Sequence, residues 1–156
     1  MRVARTLQQS LQEAHCEFDI VPHAHSVTSR ETARMAGIAA ARVAKSVVVD
    51  DRHGHYLLAV LPANQQLDLR KVGGPEQWRL TNERSIAVLF NDCEPGAVPA
   101  LSEPYGLEML IDPLLTEQPD IYLEAGDHRN LVHMRIDQFR KLVPRAEVCD
   151  LCELRY

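Results

Sequence analysis

The sequence has no long apolar run and few aromatic residues. Of its 156 residues, 46% are hydrophobic, 25% are charged and only 5% are aromatic. No apolar stretch approaches the ~20 residues that a membrane-spanning helix needs, so a membrane-embedded protein is excluded. The composition is typical of a globular chain, and the length suits one domain with its own core. We expect a single domain over residues 1–156.

The N-terminus also lacks a secretory signal. Its first residues include basic side chains, but they contain neither a continuous apolar segment nor a small-residue cleavage site. We therefore expect a cytoplasmic protein that has no membrane partner.

Motifs of several common enzyme classes are missing. The chain contains neither Gly-x-Gly-x-x-Gly nor a Gly-Lys-Ser/Thr loop, which disfavours dinucleotide and nucleoside-triphosphate chemistry. Gly-x-Ser-x-Gly is also missing, which disfavours the common serine hydrolases. We expect no cofactor.

A metal site is not indicated either. Cys149 and Cys152 form one Cys-x-x-Cys pair, but no second pair completes a structural zinc site. We expect these cysteines to be free, partly exposed thiols. Two His-x-His pairs invite a metal interpretation, yet both fall in predicted turns: His23 with His25, and His53 with His55.

The charge of the chain is unevenly distributed. The formal net charge of −5 argues against a general binder of nucleic acid such as DNA. Residues 1–45 nevertheless carry six Arg or Lys against four Asp or Glu. Four basic residues on and just after a predicted helix could share one face, which is either solvated or turned toward a phosphate: Arg30, Arg34, Arg42 and Lys45.

Lys45 stands at the entrance of an apolar strand, just before Ser46 and the valines at 47–49. The chain has only three lysines. A cation placed here loses hydration, which favours a bound anion such as a phosphate or carboxylate. The alternative is that its stem lies on apolar surface while the ammonium group stays in water. Both interpretations remain open at this point.

Apolar periodicity and capping signals predict alternating helices and strands. The predicted helices are 3–14, 28–37 with a capping box at Thr28 and Glu31, a short one reaching Ala44, 66–72 and 137–143. The predicted strands are 17–21, 46–50, 56–61, 107–112, 121–124 and 130–136, with a hairpin joining the second and third. Residues 82–90 fit either state. We predict an α+β fold, a single domain with a mixed, curved β-sheet flanked by helices.

Residues 92–100 form a loop that is rich in proline and glycine. Pro95, Gly96 and Pro99 restrict its backbone. Such a backbone leaves amides free to point at a ligand.

Several short motifs along the chain occur in a familiar order. They are His25-Ser26-Val27-Thr28, Gly37-Ile38, Val43-Ala44-Lys45-Ser46-Val47-Val48, Leu61-Pro62-Ala63, Leu67-Asp68-Leu69, Pro95-Gly96-Ala97-Val98, Leu110-Ile111-Asp112 and Tyr122-Leu123-Glu124-Ala125-Gly126-Asp127. This ordered set resembles the YbaK/EbsC family over about residues 18–143. That family includes freestanding aminoacyl-tRNA deacylases and is similar to the editing insertion of bacterial prolyl-tRNA synthetases.

The resemblance implies hydrolysis of the ester that joins a wrong amino acid to the terminal ribose of a tRNA. The family's lysine falls on Lys45. Its glycine loop falls on residues 96–100, where members typically read Gly-x-x-x-Pro. This chain has Ala100 at the proline position and Pro99 one place earlier, which leaves the direction of the loop amides open. His128 is implied to face the substrate pocket.

We assign hypothetical roles to these residues. Lys45 is expected to hold the phosphate or ribose of the acceptor end. The backbone amides of the loop at Gly96, Ala97 and Val98 are expected to polarise the ester carbonyl. The proton of the attacking water goes either to a ribose hydroxyl or through His128.

Three further residues are candidates for substrate binding. Ser46 and Thr28 could donate hydrogen bonds to the substrate, although a strand start and a helix cap explain them as well. Arg30 belongs to the basic face described above. No metal is included in the predicted site.

The expected partner is the acceptor end of a mischarged tRNA, and the resemblance implies a small amino acid such as alanine, serine or cysteine. Since the rest of the chain is acidic, an aminoacyl-tRNA synthetase or an elongation factor is a candidate partner that delivers the tRNA. The change at Ala100 keeps an alternative open, in which the protein is a non-catalytic regulatory module that binds aminoacyl-tRNA or a synthetase.

Overall fold

A computed structural model describes residues 3–26 and 28–153 of the chain. Val27, which belongs to one of the motifs above, lies outside the described residues, as do both ends of the predicted 1–156 domain. The helices of the described part are α1 (Arg5–Glu13), α2 (Ser29–Ala36), α3 (Leu69–Val72), α4 (Glu83–Leu89), α5 (Pro113–Thr116) and α6 (Ile136–Leu142). None of them has the length and apolar character needed to cross a bilayer.

The strands of the described part form one mixed sheet. They are β1 (Asp19–Pro22), β2 (Val43–Asp50), β3 (Tyr56–Pro62), β4 (Arg79–Leu80), β5 (Glu108–Ile111), β6 (Asp120–Glu124), β7 (Asn130–Arg135) and β8 (Glu147–Val148). Their order is β1-β7-β6-β2-β3-β5-β8, and β4 pairs with β2 off this path. The β2–β6, β3–β5 and β5–β8 pairs are parallel and the remaining pairs are antiparallel. The predicted α+β fold with a mixed, curved sheet is confirmed.

The two faces of the sheet are covered differently. Because successive strand residues point to opposite faces, Ala44 joins the main core while its neighbour Val43 packs under α2 against Ala33. The main core includes side chains from α1 and α6, among them Leu7 and Phe139, both fully buried. Lys45 therefore lies on the α2 side of β2.

One edge of β2 is incompletely paired. β3 pairs with β2 from Ala44 to Asp50, whereas on the opposite edge β6 pairs only with residues 43–44 and β4 only with residues 49–50. The Val48 carbonyl also accepts a hydrogen bond of 2.9 Å from the Thr81 amide. In the described part of the chain, the pairing of β6 ends at residue 44 and that of β4 begins at residue 49, and we call the opening between them, at residues 45–47, the β2 gap.

Gly126 explains why β6 leaves β2 so early. This glycine follows the end of β6, has a φ of 110°, and a Cβ placed on it would lie 2.9 Å from the Cβ of Ala4. The same residue accepts a hydrogen bond of 2.7 Å from the Glu94 amide. The turn that ends β6 thus also anchors the beginning of the loop over 94–98, which lies at the β2 gap.

The N-terminus of α2 is formed as predicted. The Thr28 side chain accepts a hydrogen bond of 3.1 Å from the Glu31 amide, and the helix ends at Gly37 in the left-handed conformation with a φ of 70°. Thr28 thus provides an acceptor for an amide that has no partner within the helix, and the left-handed Gly37 turns the chain out of the helix.

Other boundaries differ from the sequence-based expectations. The short helix expected to reach Ala44 is a 3-10 turn at Ala40–Arg42, because the next residues already pair in β2. Residues 82–90, which fitted either state, form α4 with Asn82 as the capping residue. Periodicity did not predict β4 and β8, which have two residues each, or α5, which has four.

The buried carboxylate of Asp112 connects the end of β5 to the C-terminal segment. It accepts hydrogen bonds of 2.8 Å from the amides of both Leu114 and Leu151, and one of 3.2 Å from Cys152 Sγ. Cys152 is only 6% exposed, and burial raises the pKa of its thiol to about 12. The expectation of two partly exposed thiols is therefore wrong for Cys152, whereas Cys149 is half-buried.

We predict that Asp112→Ala lowers the free energy of unfolding by about 3 kcal/mol, because the buried Leu151 amide and the partly buried Leu114 amide lose their acceptor. Urea denaturation measures this change. Asp137→Ala is the matched control, since its side chain is 62% exposed and it should change stability by less than ~0.5 kcal/mol. Equal stabilities of the two variants would refute the structural role of Asp112.

Candidate active site

A cavity of about 560 Å³ lies at the β2 gap. It is bounded by the N-terminus of α2, the middle of β2, the segment from β4 to α4, and the loop over 95–98. Its lining residues are Thr28, Ser29, Lys45, Ser46, Val47, Val48, Leu80, Thr81, Glu83, Ile86, Ala87, Pro95, Gly96 and Val98. Five of the predicted site residues are among them, although they come from three separate parts of the chain.

Lys45 lines this cavity and is half-buried. Its ammonium group donates a hydrogen bond to the carbonyl oxygen of Gln65. Arg30, although it does not line the cavity, donates from Nη2 to the neighbouring carbonyl of Asn64 at 3.4 Å. Both cations therefore contact the same turn after β3, which places positive charge along one side of the cavity.

The predicted basic face is only partly assembled. Arg42 forms a salt bridge of 2.8 Å with Asp120, so its charge is neutralised on β6. Arg34 is exposed on α2 and does not line the cavity. The expectation that four cations share one face is therefore wrong for Arg42, because an acidic side chain on a neighbouring strand pairs with it.

The glycine loop presents some of its amides to the cavity but not all of them. Gly96 has a φ of 82°, and both Gly96 and Val98 line the cavity. Among the described residues, no group accepts a hydrogen bond from either of their amides. The Ala97 amide instead donates to the Glu94 carbonyl at 3.0 Å, and Ala97 is fully buried. Ala97, which we expected at the substrate, is therefore not among the residues that line the cavity.

Ala100 occupies the position at which the family usually has proline. It is fully buried and belongs to the main core. The Pro99 carbonyl accepts a hydrogen bond of 2.8 Å from the Leu101 amide, which forms a tight turn there. The change from proline to alanine thus falls on the part of the loop that packs inward, away from the lining residues Gly96 and Val98.

His128 does not line the cavity, contrary to the expected direct contact with substrate. It is 5% exposed, has a φ of 59°, and its Nε2 donates a hydrogen bond to the Pro95 carbonyl. Its ring also contacts the His25 ring edge-on, with a centroid distance of 5.4 Å. Because Pro95 directly precedes Gly96, this bond ties His128 to the start of the glycine segment that lines the cavity.

Ser46 contributes polar groups that the sheet leaves unpaired. Its Oγ is buried and has no hydrogen-bond partner among the described residues. Alternate residues of a strand direct their backbone groups to the same edge, so the amide and carbonyl of Ser46 face the β2 gap as the Val48 carbonyl does. Thr28 also lines the cavity, but its hydroxyl already caps α2.

Sequence reasoning missed a buried polar cluster beneath α2. Ser26 Oγ lies 2.5 Å from Thr32 Oγ1, which donates to Glu124 Oε1 at 3.4 Å. Glu124 Oε2 is buried without a partner in the described part of the chain. Glu124 directly follows Leu123, which pairs with Ala44 of β2. A carboxylate at the end of the predicted strand 121–124 was the available signal.

Burial raises the pKa of Glu124 to about 7, and the nearby Asp127 carboxylate adds to this effect, while the bond from Thr32 opposes it. The group is therefore largely protonated below neutral pH. At this buried position the neutral carboxylic acid costs less desolvation free energy than the carboxylate does.

No group of three or more His, Cys, Asp or Glu residues suited to a metal ion occurs in segments 3–26 and 28–153. The expected role of the two His-x-His pairs as turn residues agrees with their contacts. His23 Nδ1 lies 2.6 Å from the Ala24 carbonyl, and His55 Nδ1 lies 2.6 Å from Asp51 Oδ2.

Comparison with known sequences decides the family. The family model of the aminoacyl-tRNA editing domain matches residues 23–142. The chain belongs to this family. The resemblance to editing proteins of the YbaK/EbsC type is thereby confirmed, although no curated protein matches the chain significantly.

Solved structures agree with this assignment. A protein proposed to be a trans-editing enzyme for prolyl-tRNA synthetase is 27% identical to this editing domain, with a TM-score of 0.77 and 97% coverage of each chain. A scaffold protein from computational epitope grafting is 24% identical, with a TM-score of 0.80 and 97% coverage of each chain. The hypothetical protein APE2540 is 16% identical, with a TM-score of 0.83, and covers 96% of this chain and 100% of its own. The last two show the fold alone.

We predict that Glu124→Gln stabilises the editing domain above neutral pH. The folded state binds the Glu124 proton more tightly than the unfolded state does, so the wild type loses stability as the pH rises from about 4.5 to about 7. The full loss is on the order of 3 kcal/mol. Glutamine is neutral throughout and still accepts the bond from Thr32.

Chemical denaturation of both proteins from pH 4.5 to 8 measures the difference. It should be near zero at the acid end and favour Glu124→Gln by up to about 3 kcal/mol at pH 8. Glu124→Ala is the control for lost packing and should destabilise at every pH. A difference between wild type and Glu124→Gln that does not change with pH would show that Glu124 is not desolvated.

Proposed function

We propose that this editing domain hydrolyses the ester of a mischarged tRNA that carries a small amino acid. The observation that carries the proposal is the shared cavity, which is lined by Lys45 and by Gly96 and Val98, whose amides have no acceptor among the described residues. Family membership supports an editing or deacylase role, and the described cavity supplies groups suited to that chemistry. We further propose that the domain acts in the cytoplasm and spans residues 1–156.

Ester hydrolysis places specific demands on such a site. An aminoacyl ester is already reactive, so the site must mainly position a water molecule and stabilise a tetrahedral oxyanion. The amides of Gly96 and Val98 donate to that oxyanion. A positive φ at Gly96 lets the backbone approach the ester closely, which a residue with a side chain would adopt only with strain.

Lys45 supplies the charge that holds the acceptor end. At an effective dielectric constant near 20, an ammonium group about 4 Å from a phosphate gains roughly 4 kcal/mol before desolvation. Its bond to the Gln65 carbonyl holds the ammonium at the cavity wall. Lys45 therefore binds the terminal phosphate or ribose, and Arg30 adds positive charge to the same side.

The floor of the cavity suits a small side chain. Val48 and Val98 are buried there, and the Ser46 hydroxyl is available to donate a hydrogen bond. Thr28 also lines the cavity, and because its Oγ1 caps α2 as an acceptor, its hydroxyl hydrogen can still donate to the substrate. The neighbouring ribose hydroxyl relays the proton: it accepts one from the attacking water and passes its own to the departing ester oxygen, because His128 does not line the cavity and its Nε2 is already bonded to Pro95.

The charge of the chain does not favour binding of free tRNA. The net charge of −5 opposes approach of a polyanion, and the positive side chains lie on one side of the cavity only. We propose that a synthetase or elongation factor delivers the charged tRNA, and that binding of free tRNA weakens steeply with salt.

We predict that Lys45→Met lowers kcat/KM for mischarged tRNA by at least about 100-fold, because the apolar stem is kept while the charge is lost. Deacylation of a panel of tRNAs mischarged with alanine, serine or cysteine measures the effect. Lys141→Ala is the matched control, since Lys141 bonds to the His15 carbonyl on α1's side of the molecule, and it should retain wild-type activity.

Retained turnover by a folded Lys45→Met protein would contradict the proposed role of this lysine. If the wild type protects the acceptor end of every tRNA in the panel without accelerating loss of the ester, the chain is instead a non-catalytic binding module. Thermal melting of all three proteins separates either result from unfolding.

We predict that His128→Ala lowers kcat/KM by about 10- to 100-fold, because the Pro95 carbonyl loses its donor and the loop amides lose their position. His128→Gln, which can still donate to that carbonyl, should recover part of the activity. The pH profile should keep its shape in both variants, because the imidazole carries no proton in the reaction. A changed pH profile would contradict this and indicate that His128 carries a proton in the reaction.

A further inference from the structure

Helix α2 forms one wall of the cavity, yet its apolar contact with the sheet is small. Its N-terminus lines the cavity, and its buried residues are Thr32 and Ala33. Ala33 packs in a cluster with Val43 and Ala63. Because these side chains bury little apolar area, they hold the helix only weakly. The position of α2 therefore depends strongly on the hydrogen bonds of Thr32.

Thr32 belongs to a chain of hydrogen bonds beneath the helix. Its Oγ1 lies 2.5 Å from Ser26 Oγ and donates to Glu124 Oε1 at 3.4 Å. These three residues are at most 3% exposed, and we call them the α2 cluster. The amide of Ser26 also donates to the His128 carbonyl at 3.3 Å. The cluster thus joins α2 to β6 and to the turn that follows β6.

The α2 cluster connects two walls of the cavity. One wall is the N-terminus of α2, and the other is the glycine loop, where the Pro95 carbonyl accepts a hydrogen bond from His128. Ser26 is bonded both to His128 and, through its hydroxyl, to Thr32. A change in the geometry of the cluster therefore moves α2 relative to the loop.

The cluster supplies too few donors for an ionised Glu124. Thr32 donates to Oε1, whereas Oε2 is buried and has no hydrogen-bond partner in the described part of the chain. A carboxylate needs donors or water at both oxygens, and a neutral acid needs fewer. Since the pKa of Glu124 is raised to about 7, the neutral acid predominates below that pH and the carboxylate above it.

The segments around Glu124 carry several other titratable or charged side chains. They are Asp127 and His128 on the turn after β6, His25 before α2, Arg30, Glu31 and Arg34 on α2, and Lys45 on β2. The Asp127 carboxylate opposes ionisation of Glu124. Lys45 and Arg30 donate to carbonyls of the turn after β3. The charge of Asp127 thus adds to burial in favouring the neutral acid.

Resting on the proposed function, we propose that Glu124 is a positioning residue for deacylation, which acts through Thr32 and Ser26 and holds α2 against the glycine loop while it is a neutral acid. Glu124 does not line the cavity and exchanges no proton with the substrate. When it ionises, α2 shifts to admit water to the buried oxygen, and the two walls of the cavity lose their alignment. Turnover therefore falls as the pH rises through neutrality.

The first test measures kcat/KM for mischarged tRNA from pH 6 to 8.5, corrected for uncatalysed loss of the ester. Glu124→Gln stays neutral and still accepts the bond from Thr32. The ratio of wild type to Glu124→Gln should fall about tenfold across this range, because a misplacement on the order of 1 Å is costly. Titration of the substrate's own amino group affects both proteins equally. A ratio that does not change with pH would overturn the proposal.

Substitutions of Thr32 test the path to α2. Thr32→Val keeps the volume but loses the hydroxyl, so it should lower kcat/KM at pH 6 by about tenfold. Thr32→Ser keeps the hydroxyl and should recover most of that activity. Thr116→Val is the matched control, since Thr116 bonds to the Pro113 carbonyl on α5 and does not line the cavity, and it should retain the activity and the pH profile of the wild type. Full activity of Thr32→Val would refute this path.

Hydrogen exchange tests the movement of α2 without any substrate. The protection factors of the α2 amides should fall between pH 6 and 8.5 in the wild type but not in Glu124→Gln. If no mischarged tRNA is hydrolysed, the proposed function fails, and the coupling of Glu124 to α2 is judged by this measurement. Loss of protection in the wild type alone supports the coupling. The same pH dependence in both proteins overturns it, even where the tRNA is hydrolysed.

Discussion

The unpaired edge of β2 is the constraint on which the site depends. A buried strand normally pairs both of its edges, and residues 45–47 are left open between β6 and β4 in the described part of the chain. The opening exists because Gly126 turns β6 away beside Ala4. The same turn bonds to the Glu94 amide and so brings the glycine loop to the opening. This one turn therefore leaves the opening in the sheet and holds the glycine loop beside it.

The polar side chains of this editing domain act mostly by holding backbone in place. His128 bonds to the carbonyl of the residue just before Gly96. Asp112, at the end of β5, accepts hydrogen bonds from the start of α5 and from the C-terminal segment. In the proposed mechanism the chemistry then depends on few groups, namely the ammonium of Lys45 and the amides of Gly96 and Val98. A reaction on an activated ester is compatible with so small a set, because positioning and oxyanion stabilisation supply most of what it needs.

Much of the fold could be predicted from local signals. The cap at Thr28 and the left-handed Gly37 bound α2, and the alternation around residues 46–61 predicts the hairpin, because these signals act between near neighbours. The two-residue strands β4 and β8 could not be predicted in this way, since only pairing with distant strands makes them strands. The presence of Lys45 and Gly96 in the site followed from the resemblance. The internal bond of Ala97, the burial of His128 and the cluster at Glu124 depend on packing between segments far apart in sequence.

The most direct test of this account is a structure of the editing domain with a non-hydrolysable alanyl-amide analogue of the aminoacyl-adenosine terminus. The account predicts that the carbonyl oxygen of the analogue lies within about 3 Å of the amide nitrogen of Gly96 or Val98, with the Lys45 ammonium on the ribose or phosphate side. An analogue bound outside the β2 gap, or with its carbonyl directed away from the loop, would contradict it.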